Sequence, residues 1–187
     1  FGSFNKISKI STQSLEVWSD ILKKIPSSRL LLGGLNTEQG QIIRGALVNL
    51  GVDETRLTLK PKLSRTDYIR LHEDIDILLD TWPYSGGGTT ATAALCFVPI
   101  ITMKGPSMAN CQGAWIMGHL GLQDWVGQTR EQLIEIAANK AMNIDQLETL
   151  RHEMDARWKR SPLGNPGLAA LGLEKALQKL SSLGTLI

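Results

Sequence analysis

DTWPYSGGGTTAT, residues 80–92, is the stretch from which the fold of this chain can be worked out. An apolar run at 75–79 precedes it, and small residues typical of a helix start follow it. Backbone N–H groups at a helix N-terminus have no intrahelical partner, and glycine, which lacks a Cβ, lets an anion approach them closely. The order of strand, glycine loop and helix therefore predicts a phosphate-binding loop at Gly86, Gly87 and Gly88, to which Thr89 and Thr90 add hydroxyl groups. A plain flexible turn is the alternative, because the stretch matches neither of the standard nucleotide-binding glycine patterns.

Strands and helices alternate on both sides of this loop. Nearly continuous apolar runs predict strands at 1–4, 29–35, 57–59, 75–79 and 98–103. Apolar residues at helical spacing predict helices at 15–25, 42–50, 66–72, 89–97, 108–119, 130–140, 144–159 and 168–180. Apolar strands that alternate with helices indicate a parallel sheet covered on both faces, so we predict an α/β, doubly wound fold.

Polar and cationic residues follow the predicted strands. In a doubly wound sheet, ligands bind beyond the carboxyl ends of the strands. The residues at these ends are Asn5, Lys6, Lys9, Lys60, Lys62, Arg65, the segment 85–90 and Lys104. Several cations and a glycine loop on one edge of the sheet predict an anionic ligand.

Composition limits the function classes. A chain of 187 residues with 42% hydrophobic residues suits one domain, and a net charge of +2 gives no support to a nucleic-acid or membrane partner. No apolar run approaches the ~20 residues that span a bilayer. Cys96 and Cys111 lack metal-ligand spacing, which predicts buried thiols in a reducing, cytoplasmic compartment. We expect a single lobe over 1–187, cut from a longer chain, with a break near 161–167 and a closing helix and tail at 165–187.

For three other patterns we favour a structural role over a catalytic or ligand-binding one. Asp74-Ile75-Asp76 spells D-x-D, a possible cation site, but it precedes a buried strand and so lies away from the ligand-binding edge. His72, His119 and His152 show no triad or metal spacing and are predicted to be surface or capping residues. Four tryptophans, Trp82, Trp115, Trp125 and Trp158, are expected to pack in the core or against another lobe.

Four motifs occur in order along the chain: FGSFN at 1–5 with Lys9-Ile10, DTWPY at 80–84 with the glycine loop, VP at 98–99 with TMKG at 102–105, and SPL at 161–163. Together they resemble the C-terminal catalytic lobe of the O-GlcNAc transferase and SPINDLY family. The resemblance implies a GT-B glycosyltransferase with two Rossmann-like lobes, usually behind tetratricopeptide repeats. It also implies inverting transfer of a sugar from UDP-GlcNAc or GDP-fucose to protein Ser or Thr hydroxyls, without a metal or other cofactor. The N-terminal lobe and the repeats would then lie outside this chain.

The resemblance also implies roles for individual residues. Lys9 would contact the diphosphate and offset charge as the nucleotide leaves, which makes it the catalytic candidate. The implied donor-binding residues are Asn5, Lys6, Lys9, Arg65, Tyr68, Gly86, Gly87, Gly88, Thr89, Thr90 and Thr92. Among them, Arg65 and Tyr68 would border the base.

Two positions depart from the family pattern. Gly87 stands where the family has a histidine in the phosphate loop, and Thr92 stands where it has an acidic residue for the ribose. Two alternatives therefore stay open beside the transferase lobe. One is a nucleotide-binding or scaffold module that has lost catalysis, and the other is a lobe of a nucleotide-sugar epimerase, which shares the two-lobed architecture.

Overall fold

A six-stranded parallel sheet forms the centre of the computed structural model, which describes residues 1–182. The strands are β1 (Gly2–Ser3), β2 (Leu30–Gly33), β3 (Leu57–Lys60), β4 (Leu78–Leu79), β5 (Ile100–Met103) and β6 (Val126–Gly127). The helices are α1 (Thr12–Lys24), α2 (Thr37–Asn49), α3 (Arg65–Arg70), α4 (Gly88–Leu95), α5 (Gln112–His119), α6 (Arg130–Met142), α7 (Ile144–Arg160) and α8 (Pro166–Ser182). The predicted α/β, doubly wound fold is confirmed.

The strand order is β3-β2-β1-β4-β5-β6, and every paired strand is parallel. The chain moves outward from β1 to β3, returns to the centre, and moves outward again from β4 to β6. The reversal lies between β1 and β4, where Gly2 pairs with Leu78. In open α/β sheets this switch point leaves a crevice beyond the carboxyl ends of the two central strands, and ligands bind there.

Helices cover both faces of the sheet. Helix α1 packs against α2 and α6, whereas α4 packs against α5 and α7. Strands β2 and β4 are buried along their whole length, as expected for strands with helices on both sides. The largest fully buried side chains include Trp18, Leu22 and Leu78.

Local capping motifs define one end of each of the first two helices. Ser11 caps α1 by accepting a hydrogen bond from the Ser14 N–H. Gly51 ends α2 with φ +87°, a conformation that glycine adopts without steric cost. The Gly51 N–H donates to Val48 and the Val52 N–H to Leu47, which is the hydrogen-bond pattern of a Schellman motif.

Several element boundaries differ from the prediction. Strand β6 was not predicted, since two residues show no periodicity. The predicted strand at 75–79 shortens to Leu78–Leu79, because residues 76 and 77 form a bend. The predicted closing helix forms as α8, but none of its residues is buried, and residues 183–187 of the predicted tail lie outside the described residues. The assignment of domains stays a prediction.

The predicted burial of the cysteines was wrong, and of the two roles predicted for His72 only capping is found. His72 is 1% exposed; its Nδ1 lies 2.9 Å from the Tyr68 carbonyl near the end of α3, and its ring packs edge-on against Phe4 and Tyr68. Cys96 and Cys111 are free thiols, but both are partly exposed rather than buried. Within residues 1–182, no helix is both long and apolar enough to cross a membrane.

Candidate functional site

The candidate site lies at the switch point, where the segments that follow β1 and β4 meet. Hydrogen bonds from the N-terminus of α1 hold the segment that follows β4 in place at Trp82. The Ser14 hydroxyl accepts from the Trp82 N–H at 2.8 Å, and the Ser11 hydroxyl donates to the Trp82 carbonyl. The glycine loop that follows is therefore held at a defined position over the sheet.

A buried carboxylate organises the glycine loop. Asp80 follows β4 directly, and its Oδ1 accepts from the N–H groups of Thr81 at 2.8 Å and Gly86 at 2.7 Å. Its Oδ2 accepts from the Thr102 hydroxyl at 2.8 Å. Burial raises the pKa of Asp80 to about 6, although these three donors and the charge of Lys9 act in the opposite direction. The Asp80 side chain thus links the two ends of the segment 80–86.

The open side of the loop presents the N-terminus of α4. Gly87 is the N-cap residue and has no side chain to cap the helix. Within residues 1–182, the N–H groups of Gly88, Thr89 and Thr90 have no hydrogen-bond acceptor, and the first helical bond runs from Ala91 to Gly87. Unpaired N–H groups at the positive end of a helix dipole form an anion-binding site.

A second helix begins at the same loop. The Ser85 hydroxyl accepts from the N–H of Gln112 at 3.1 Å, and the Ser85 N–H donates to the Ala109 carbonyl at 3.1 Å. Gly113 lets α5 approach closely, because a Cβ there would collide with Asp80 and Thr102. The N-termini of α4 and α5 therefore meet at Ser85.

Lys9 supplies the cation of the site. Its Nζ donates to the Ser85 carbonyl at 2.9 Å and lies 4.2 Å from the centroid of the Tyr84 ring. Burial lowers the pKa of Lys9, while the Asp80 carboxylate acts in the opposite direction. An ammonium has three N–H donors, so the bond to Ser85 leaves donors for an anion on the loop.

Asn5 and Thr90 lie beneath the loop. Asn5 is 2% exposed and Thr90 is fully buried, and both contribute oxygens that lie close to the position a Cβ on Gly86 would take. Within the described residues, the Asn5 amide and the Thr90 hydroxyl have no hydrogen-bond partner. Polar groups left unpaired in the interior are uncommon, and they often mark a functional site. Because they are buried, direct contact of these two side chains with a ligand stays a prediction.

The remaining predicted residues surround the loop. Tyr68 on α3 is half-buried; burial raises its pKa, and a hydrogen bond with Thr89 at the start of α4 acts in the opposite direction. Arg65 and Lys6 are exposed. The Thr92 hydroxyl donates to the Gly88 carbonyl within α4 at 2.8 Å, so it is engaged in its own helix. The structure thus brings Lys9, Tyr68 and the glycine loop together.

The roles of three residues of the site were missed in the sequence. Asp80 had a visible signal, since it is a carboxylate directly after an apolar run. Ser85 was expected at the ligand-binding edge within the segment 85–90, but its contact with Gln112 had no signal, because it joins segments 27 residues apart.

The D-x-D motif does not belong to this site. Asp74 and Asp76 precede β4, at the opposite edge of the sheet from the loop. In the part of the chain that the structure describes, no group of three or more His, Cys, Asp or Glu side chains could hold a metal ion.

Sequence comparison relates the chain to one family of enzymes. The sequence profile of glycosyl transferase family 41 matches residues 1–168. An Arabidopsis thaliana protein, named as a probable UDP-N-acetylglucosamine peptide N-acetylglucosaminyltransferase SPINDLY, is 31% identical over 184 residues. That match covers 96% of this chain and 20% of the plant protein, so the chain spans about a fifth of its relative's length.

One solved structure supports the same relationship, and a second shares the fold. A mutant of the Thermobaculum terrenum O-GlcNAc transferase aligns with a TM-score of 0.85 and 33% identity, over 96% of this chain and 35% of that one. The Anabaena protein HepE, solved in complex with UDP, aligns with a TM-score of 0.63 over 97% of this chain and 48% of that one. At 18% identity, HepE supports the fold alone.

Proposed function

The chain belongs to glycosyl transferase family 41, and on that premise we propose that it is the lobe that binds the nucleotide-sugar donor of a protein glycosyltransferase. The donor would bind with its diphosphate on the glycine loop. The sugar would pass, with inversion, to a Ser or Thr hydroxyl of a protein acceptor. The other catalytic lobe, and any tetratricopeptide repeats, would lie in parts of the protein outside this chain.

One observation carries this proposal: a cation, unpaired N–H groups and two helix N-termini converge on one loop at the switch point. Lys9 Nζ is bonded to Ser85, the Gly88 and Thr89 N–H groups are unpaired within the described residues, and α5 begins beside them at Gln112. Each of these features favours negative charge at the same place. A diphosphate meets all of them at once.

The arrangement suits departure of a nucleoside diphosphate. When the bond between sugar and phosphate breaks, negative charge develops on the leaving phosphate. An ammonium and N–H groups that are already in place stabilise this charge more strongly in the transition state than in the ground state. We assign the ammonium role to Lys9, with Lys6 as an exposed cation on the same segment.

The identity of the donor is part of the proposal. The names of the relatives specify UDP-N-acetylglucosamine, which makes UDP the first nucleotide to test, and GDP is the alternative. We assign Tyr68 and Arg65 on α3 to the border of the base, and the hydrogen bond between Tyr68 and Thr89 at the start of α4 supports this assignment. Free cysteines fit a protein of a reducing compartment such as the cytoplasm.

Calorimetric titration with UDP and with GDP tests the proposal, with the protein at its native length. Lys9→Ala should weaken binding of the preferred nucleotide about 10-fold or more, because a charge-assisted hydrogen bond is lost. Lys23→Ala is the matched control, since it removes the same charge from an exposed position in the last turn of α1, at the opposite end of that helix from the loop. Absence of binding by the unmodified protein, or equal losses in both variants, would refute the donor site.

A second candidate, a nucleotide-binding module without catalysis, rests on the Thr92 hydroxyl, which is bonded back to Gly88 within its own helix. Such a module would bind nucleotide but transfer no sugar. Transfer of labelled sugar to protein by the native-length protein, lost in Lys9→Ala, would eliminate it.

A further inference from the structure

A side chain from α5 fills the space beside Gly87. A Cβ built on Gly87 would meet the Oε1 of Gln112 well inside van der Waals contact, and the Cδ of Gln112 at 3.4 Å. Apart from the neighbouring residues, no other heavy atom of residues 1–182 lies within 4 Å of that position. Gln112 therefore occupies the place that a side chain at position 87 would take.

The backbone of Gln112 is fixed to the loop that it covers. Gln112 is the first residue of α5, and its N–H donates to Ser85 Oγ at 3.1 Å. Ser85 is in turn bonded to Ala109 through its N–H at 3.1 Å and its hydroxyl at 3.2 Å. The direction in which the Gln112 side chain leaves α5 is thus set by the loop.

The side-chain amide of Gln112 has hydrogen-bonding groups that a ligand could use. Its side-chain oxygen and nitrogen form no hydrogen bond within the described residues, and the side chain is partly exposed. A primary amide carries two N–H donors and an acceptor oxygen, and it can rotate to present either end. Beside it stand the N–H groups of Gly88 and Thr89, which attract an anion to the same place.

We propose that Gln112 is a further donor-binding residue, whose amide donates a hydrogen bond to the phosphate group bound at the N-terminus of α4. This inference rests on the proposed function and assigns to that site a residue from a third segment of the chain. The amide supplies a side-chain donor over a loop that has none of its own at Gly86, Gly87 and Gly88.

Titration with UDP, GDP and the two nucleosides, uridine and guanosine, tests this role in the native-length protein. Gln112→Ala should weaken binding of the preferred nucleotide about 10-fold, and Gln112→Glu should weaken it more, because it places a carboxylate against the phosphate. Binding of the nucleoside should not change, since it has no phosphate. Gln146→Ala and Gln146→Glu are matched controls on the first turn of α7, where the side chain is exposed.

A double-mutant cycle tests whether the Gln112 side chain occupies the space beside Gly87. Gly87→Ala alone should weaken nucleotide binding, because the new methyl group displaces Gln112. Once Gln112 is replaced by alanine, adding Gly87→Ala should cost little more, so the two losses should not add. Thermal melts confirm that each variant is folded.

The outcomes separate this inference from the proposed function. If the unmodified protein binds a nucleotide, Lys9→Ala weakens it and the Gln112 variants do not, only the role of Gln112 is overturned. Equal weakening of nucleotide and nucleoside by Gln112→Ala also overturns it, because the effect would then not involve phosphate. If the unmodified protein binds neither nucleotide, both proposals are overturned.

Discussion

Replacing Asp80 with asparagine should stabilise the protein at neutral pH, although this carboxylate accepts three hydrogen bonds. The asparagine would keep the shape of the side chain. Its oxygen would still accept from the N–H groups of Thr81 and Gly86, and its amide N–H would donate to the Thr102 hydroxyl, which can also act as an acceptor. The substitution removes a buried charge, and its cost is confined to two donors: the Thr102 O–H, which loses its acceptor, and the second N–H of the new amide.

The size of the effect follows from the pKa of Asp80, which burial raises from 3.8 to about 6. Between these two values the folded protein binds more protons than the unfolded chain, so stability is lost as the pH rises through this window. One pH unit corresponds to about 1.4 kcal/mol. The ionised carboxylate therefore lowers the free energy of unfolding by about 3 kcal/mol above pH 6, compared with a side chain that does not titrate.

Urea unfolding at about pH 4 and about pH 7.5 measures the effect as a difference between the variant and the parent protein. The advantage of Asp80→Asn should be about 2 kcal/mol larger at the higher pH, because part of the effect is already present at pH 4. Asp76→Asn serves as the control, because that carboxylate is 81% exposed and should show no such increase. An advantage of Asp80→Asn that is the same at both pH values would refute the reasoning.

Two further substitutions test the packing around the site and in the core. Gly86→Ala should lower the free energy of unfolding by about 1–3 kcal/mol and weaken nucleotide binding, because its Cβ would collide with oxygens of Asn5, Asp80 and Thr90. Gly45→Ala on α2, where the space around the new Cβ is open, is the control in urea unfolding and calorimetry. Leu22→Ala should cost about 2–5 kcal/mol in urea unfolding without changing nucleotide affinity in the folded protein, since Leu22 is fully buried in α1.

The sequence was enough to predict the fold class, because the physical basis of that prediction is local. Strands such as 30–33 are apolar throughout, and only a sheet covered on both faces buries such strands. The glycine loop was recognisable for the same reason, since strand, glycine and helix start follow one another within residues 75–92. The placement of Lys9 beside the loop follows from parallel pairing, which puts the ends of β1 and β4 at one edge.

Features that depend on long-range packing could not be predicted. His72 is buried because its ring packs against Phe4, 68 positions earlier in the chain, and nothing in the local sequence of α3 indicates this contact. Strand β6 is defined by its pairing with β5, through Thr102 with Val126, rather than by any pattern of its own. Gln112 reaches Gly87 because the N–H of this first residue of α5 donates to Ser85 Oγ.

The position of Asp80 shows why stability and binding oppose each other at this site. The loop needs an acceptor to pair the Gly86 N–H in the interior, and a neutral side chain could satisfy it. A carboxylate also places negative charge near Lys9, where it favours the charged ammonium against the burial that lowers its pKa. The same charge destabilises the folded protein as the pH rises. Replacing Asp80 should therefore stabilise the fold and, at the same time, withdraw electrostatic support from the cation that binds the donor.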